Sequence, residues 1–276
     1  MRIIISPAKK MKVDNDYFGH SSMPIFIDET EKLLDYLKKL NYDELKSIWR
    51  CSDNIAKLNF NRIQNMDLYN NLSSAIFSYE GIQYKYMVPN IFTYDELDYI
   101  DEHLRILSGF YGILRPFDGV VPHRLEMQSK LINWRYKTLY DFWKDKIAKQ
   151  LFLESKYIVN LASKEYSDCI SKYLGKDIQL INCVFGEITN DKIIQKGTLV
   201  KMARGEMVRF MAKNNIKNLE DIKKFNELGY VFNKKLSYDY NYVFIKKTWL
   251  INSTYAIAID IKERGKYNIW NIKLKE

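Results

Sequence analysis

The chain has 276 residues, 47% of them apolar, enough to bury a core for one large or two small domains. Its 43 Lys and Arg against 34 Asp and Glu leave a formal charge of +9 and a pI near 9.1. That surplus favours phosphate-bearing or polyanionic partners, although a Lys-, Asn-, Ile- and Tyr-rich composition produces it as readily. Cys51, Cys169 and Cys183 are far apart, odd in number and form no CxxC, so neither a disulfide framework nor a zinc knuckle is implied. "MRIIISPAKK" lacks the signal-peptide pattern and no run nears the roughly 20 apolar residues of a membrane span, so a cytoplasmic protein is expected.

In chain order, "RIIIS" reads as a buried strand stopped by Pro7. "DETEKLLDYLKKL" predicts a helix with Leu33, Leu37 and Leu40 on one face and Asp28 and Glu31 as its cap pair. "NYDELKSIW" repeats the design with Asn41 and Glu44. "LSSAIFSYEG" predicts a helix closed by Gly81. "TYDELDYIDEHLRIL" predicts one capped by Thr93 and Glu96, with a stripe of Leu97, Ile100, Leu104 and Leu107. A further helix follows Thr138, with Leu139, Phe142, Trp143 and Ile147 as its stripe. Strand-like runs then appear in "KYIVNLAS", "DIQLINCVF", "GTLVKMA" and "YVFIKK". The mixture predicts a single α/β or α+β domain over residues 1–276, a mixed sheet flanked by helices with a positively charged cleft. Residues 249–276 form an extension whose two strands would turn at Arg264-Gly265.

Two strand ends carry chemistry. Ser6 and Lys9 close the first strand; Asn160, Ser163, Lys164, Glu165 and Tyr166 close a later one. Ligands of α/β sheets bind beyond the carboxyl ends of strands. If the two strands are parallel neighbours, Ser6, Lys9, Asn160 and Ser163 share one cleft. Singly, Ser163 reads as a helix cap and Lys9 as a solvated cation.

"HLRILSGFYGILRPFDGVVPHRLEM" sets Arg105, Arg115 and Arg124 around a turn punctuated by glycine and proline. Planar guanidinium forks suit bidentate phosphate or carboxylate contacts. Glu126 orients one of them, acts as a base, or simply pairs with Arg124. In "VKMARGEMVRFMAKNNIKN", Ala203, Met207, Phe210 and Met211 make a helical core stripe, and Arg204, Arg209, Lys213 and Lys217 a basic flank. His20, His103 and His123 have no metal-ligand spacing, and GxSxG, P-loop and GxGxxG are absent. No metal and no cofactor are expected.

"ISPAK", "LRILSGFYGILRPFD", "HRLEM", "LYDFW", "NLASKEYS" and "ARGEMVRFM" occur in order over about residues 3–245. Together they closely resemble the YaaA peroxide-stress-response family. The resemblance implies a mixed α/β fold with a positive cleft, a helix-hairpin-helix-like element and duplex DNA binding. It also implies hydrogen peroxide defence through lowered free iron. "GFYG" departs from the Gly-x-Gly of such hairpins by one residue, and "NIAKLNFNRIQ" is a second place for the element.

Three functions compete. The first is a monomeric DNA-binding stress protein gripping duplex phosphate, or another phosphate-bearing ligand, with Ser6, Lys9, Arg105, Arg115, Arg124, Asn160, Ser163, Arg204 and Arg209. The second is an enzyme acting on a nucleobase or nucleotide, with Lys9, Glu126 and Ser163 as candidate catalytic groups. Direct iron storage ranks last, because no ligand set clusters.

Overall fold

Three apolar runs that each end in a serine lie side by side at the centre of a sheet. The computed structural model describes residues 1–13 and 19–247, together with the backbone of two short strands at 256–259 and 269–272. The strands, in chain order, are β1 (Arg2–Ile5), β2 (Lys10–Met11), β3 (Ser73–Ser74), β4 (Tyr79–Glu80), β5 (Leu104–Ser108), β6 (Gly112–Leu114) and β7 (Gly119–Val120). They continue as β8 (Tyr157–Leu161), β9 (Gln179–Thr189), β10 (Lys192–Ile194), β11 (Tyr230–Phe232) and β12 (Asn241–Lys246). The main sheet runs β11-β12-β9-β8-β1-β5-β6, with β10 paired to β9. β12, β9, β8, β1 and β5 are mutually parallel, and β11 and β6 cap the edges antiparallel. The expected α/β class is what the chain forms.

Central parallel strands are covered on both faces, so they read as unbroken apolar runs. Ile3, Ile4 and Ile5 are fully buried, as are Ile158, Val159 and Leu161. From β1 the chain passes to β5 on one side and returns to β8 on the other, so strand order reverses at β1.

The helices are α1 (Ile27–Lys38), α2 (Tyr42–Trp49), α3 (Asp53–Gln64), α4 (Ala75–Ser78), α5 (Ile82–Met87) and α6 (Tyr94–His103). After them come α7 (Leu139–Trp143), α8 (Lys146–Glu154), α9 (Lys164–Ser171), α10 (Gly197–Lys213) and α11 (Leu219–Ile222). Capping boxes form at Asn41/Glu44 and Thr93/Glu96 as the spacing predicts, and Thr138 caps α7 with Asp141. α1 differs: it starts at Ile27 with Phe26 at its N-cap, so Asp28 lies inside the first turn.

Three readings are corrected. The helix from Thr93 ends at His103; Leu104 is already extended (φ −87°, ψ 141°), and Leu104–Ser108 pairs with β1. Its apolar residues fit a helical stripe as well as a doubly buried strand, and pairing with β1 decides. "LSSAIFSYEG" is no single helix, because β3 pairs with β7 and β4 pairs with β2 on either side of one turn, α4. "GTLVKMA" is the first half of α10, whose buried residues Val200, Ala203, Met207, Val208 and Met211 continue one stripe.

Residues 1–246 and 247–276 form two separate compact units. In the second, β13 (Ala256–Ile259) and β14 (Ile269–Ile272) pair antiparallel, as expected of two strands. The turn at Arg264-Gly265 lies outside the described residues.

Candidate functional site

The carboxyl ends of β8, β1 and β5 open onto a cavity of about 380 Å³. Each strand delivers a serine to its wall: Ser163, Ser6 and Ser108. Ser6 Oγ accepts the backbone N–H of Ser163 at 2.8 Å and donates to Ser163 Oγ at 3.2 Å. Ser163 stands at the N-cap of α9, yet its hydroxyl makes no capping bond. This is the crevice where the sheet reverses order, the usual ligand position in such folds.

Two glycines let the surrounding loops close in. A Cβ on Gly109 would lie 2.4 Å from the Leu125 carbonyl oxygen, and one on Gly81 would lie 2.9 Å from Ala8 Cβ. Gly109 thereby admits the Arg124–Glu126 segment against the end of β5, and Gly81 admits the Ser6–Lys9 loop.

The charges meet on Glu126. Arg124 Nη2 lies 2.8 Å from Glu126 Oε1, and Lys9 Nζ 3.3 Å from the same oxygen. Arg124 and Glu126 are nearly buried, whereas Lys9 is 63% exposed. Both cations use Oε1, and Glu126 lines the cavity. Glu165 is the second carboxyl; one of its oxygens accepts the N–H of Gln128 at 3.3 Å. Burial first, and then the charge of Glu126, push the Glu165 carboxyl above its ordinary range.

His123 is buried among Phe110, Tyr111 and Tyr79. Its Nδ1 lies 2.9 Å from the Val121 carbonyl oxygen, which can only accept, so Nδ1 carries the ring proton. Burial pulls its pKa down to about 4. At neutral pH, Nε2 is therefore a lone-pair acceptor. Tyr79, Tyr84 and Tyr166 complete the wall, and burial pushes each hydroxyl well above its ordinary value, so all three remain donors.

Arg204 of α10 and Arg124 each have a buried Nε without a hydrogen-bond partner among the described residues, but Arg124 is paired with Glu126. For Arg204, burial pulls the pKa down to about 10, opposed by neighbouring Cys183, and no carboxylate among the described residues compensates it. A buried guanidinium without an anion is costly unless a guest supplies one.

The structure gathers five of the nine expected anion-binding residues at this cavity: Ser6, Lys9, Arg124, Ser163 and Arg204. Asn160 lines a second cavity on the far side of the β8–α9 turn, and Arg204 lines that one too. The other three lie elsewhere. Arg105 is buried against Glu154 Oε2 at 2.7 Å, with Arg2 on the same oxygen at 2.9 Å. Arg115 is exposed and does not line the cavity, and Arg209 sits 3.7 Å from Glu206. Nor does "GFYG" offer amides to phosphate: Ser108 Oγ takes the N–H groups of Phe110 and Tyr111, and both rings are fully buried. "NIAKLNFNRIQ" is continuous helix within α3.

Residue reasoning left Ser108, Tyr79, Tyr84 and Lys201 out of the site. A signal for Ser108 existed, since "RIIIS", "RILS" and "IVNLAS" are three apolar runs closed by serine. Among the described residues no group of three His, Cys, Asp or Glu is placed to hold a metal, and no helix is long and apolar enough to cross a membrane.

The profile of a family described as "Peroxide stress protein YaaA" matches residues 1–236, a span containing every cavity residue named above. The chain belongs to the YaaA family. It is 52% identical over 247 residues to a UPF0246 protein of Agathobacter rectalis, covering 90% of this chain and 99% of that one. A UPF0246 protein of Desulfitobacterium hafniense is 53% identical over 246 residues, covering 89% and 98%. A third, from Pediococcus pentosaceus, is 50% identical over 246 residues, covering 89% and 98%. The YaaA match ends before β12, so the C-terminal unit lies outside it.

Proposed function

We propose that this YaaA protein serves the peroxide stress response as an enzyme acting on a small phosphorylated ligand of nucleotide size. The observation that carries the reading is Arg204, a guanidinium held in the cavity wall without an anion of its own. A cavity of about 380 Å³ suits a small ligand better than a duplex, whose backbone needs an open groove. Tyr79, Tyr84 and Tyr166 offer ring faces, Tyr79 and Tyr166 hydroxyl donors, and His123 Nε2 an acceptor, for a nucleobase, while the Tyr84 hydroxyl donates to the Ser6 carbonyl oxygen. Glu126, fixed on one oxygen by Arg124 and Lys9, is the proton acceptor, and Glu165, with its raised carboxyl, the donor. Lys9 serves as a cation here: a nucleophilic lysine needs a desolvated amine, whereas Lys9 is exposed and ion-paired.

Calorimetric titration with a nucleoside 5′-monophosphate and with the bare nucleoside tests the binding step. The phosphorylated ligand binds and the nucleoside binds far more weakly. Arg204→Met removes that preference, and Glu126→Gln leaves binding intact while abolishing turnover of free nucleotides or of damaged duplexes. Equal binding of both ligands by the native protein, or full turnover by Glu126→Gln, overturns the reading.

A second reading, non-specific grip of duplex phosphate, draws support from the formal charge of +9 and from Lys201, Arg209 and Lys213 on the solvent flank of α10. It predicts duplex binding that weakens steeply with salt, and a flat salt slope contradicts it. Lowering of free iron is, on either reading, a downstream consequence of the ligand bound.

A further inference from the structure

The second cavity, of about 600 Å³, lies across the β8–α9 turn from the first. Residues of that turn divide between the two: Ser163, Glu165 and Tyr166 line the first, and Ala162, Lys164 and Ser167 the second. Arg204 lines both. An anion drawn to its guanidinium therefore sits at the junction, with room on either side.

The floor of the second cavity is a row of three asparagines on the adjacent parallel strands β8, β9 and β12. In register, Asn160 stands opposite Asn182 and Asn182 opposite Asn241. Asn160 Nδ2 donates to Asn182 Oδ1 at 2.9 Å, and Asn182 Nδ2 to Asn241 Oδ1 at 3.3 Å. The backbone N–H of Ala162 anchors the start of the row by donating to Asn160 Oδ1 at 2.9 Å. The chain of donors ends at Asn241, whose Nδ2 has no hydrogen bond within the described residues. Polar side chains occupying one face of three parallel strands forgo the apolar packing such strands normally give. Carboxamides match the donor and acceptor edges of nucleobases, and Asp239 adds an acceptor for sugar hydroxyls.

We propose that the two cavities are halves of one site for a phosphodiester, its phosphate on Arg204, one nucleoside among the tyrosines and the other on the asparagine row. A phosphomonoester carries a substituent on one side of its anion, whereas a diester carries one on each. Both volumes fall in the range of about 300–1,000 Å³ usual for ligand pockets. The inference rests on the nucleotide reading above and adds to it the ligand class and a second contact surface.

The test is calorimetric titration of the full chain, at one salt concentration, with a dinucleoside monophosphate and with a nucleoside 5′-monophosphate. The diester binds at least about tenfold tighter, the gain expected when a second half-site is engaged through a short link. Asn241→Ala returns the diester to the affinity of the mononucleotide and leaves mononucleotide binding unchanged. Gln195→Ala, at an exposed position of the second cavity, weakens the diester alone and serves if Asn241→Ala disturbs folding. Equal affinities of the native protein for the two ligands overturn the inference while the nucleotide reading stands. Failure of both ligands to bind removes both.

Discussion

Ser6 and Ser163 stand 157 residues apart in sequence, yet one hydroxyl joins them, Ser6 Oγ accepting the N–H of Ser163 at 2.8 Å and donating to Ser163 Oγ at 3.2 Å. This contact closes the crevice between β1 and β8 at the point where strand order reverses. Ser6→Ala removes both bonds and leaves the Ser163 N–H unpaired. The expected loss of stability is about 1–2 kcal/mol, read as a lower urea midpoint with unchanged slope. An unchanged midpoint would mean that the pair contributes nothing to holding the crevice.

Arg105 belongs to the scaffold. Burial works to raise the Glu154 carboxyl, but Arg2 and Arg105 outweigh it and hold it below its ordinary range. Glu154→Gln leaves two guanidinium groups facing one another in a nearly buried site, a loss of about 3–5 kcal/mol. Nucleotide affinity, measured below the variant's melting point, stays the same. A variant that is stable but binds poorly would return Arg105 to the ligand site.

His123 sets an acid limit on stability. The unfolded chain takes up the imidazole proton below its ordinary value of 6.5, whereas the folded chain does so only near 4. Between those values the unfolded state binds more protons, so stability falls as pH falls from about 6.5 to about 4. For this fully buried ring the span amounts to about 3 kcal/mol. In His123→Gln the fall between pH 7 and pH 5 is smaller by about 2 kcal/mol, seen by urea melts at those two values. Identical pH profiles for the two proteins would contradict the buried neutral ring.

The buried cysteines are expected to resist peroxide. Burial pushes Cys169 and Cys183 up to about 12, and Cys51 is also raised, first by burial. The thiolate is the form that attacks peroxide. Mass spectrometry after hydrogen peroxide treatment finds Cys169 and Cys183 unmodified in the folded protein and oxidised in urea. Faster oxidation in the folded state would show a sensing cysteine.

How much of this was legible depends on what each residue's neighbours had to decide. Capping boxes are local chemistry, so Asn41/Glu44 and Thr93/Glu96 could be read directly. The strand ends at Ser6 and Ser163 were also visible, because doubly buried strands are short apolar runs with abrupt polar stops. Leu104–Ser108 was hidden, since "HLRIL" extends the stripe of α6 and only pairing with β1 makes it a strand. That error carried Arg105 into the expected cleft and left Ser108 out. Nothing local tells Arg204, with no acid, from Arg105, which meets Glu154 from 49 residues away.

The central claim is that the Arg204 guanidinium receives the ligand's anion. The most direct measurement is the Nε–Hε resonance of Arg204 in ¹⁵N-labelled protein, assigned by its disappearance in Arg204→Met, during titration with a nucleoside 5′-monophosphate. The account predicts a large, saturable shift of that resonance with little change at Arg105. Saturable shifts at Arg115 and Arg209 with an unmoved Arg204 would contradict it.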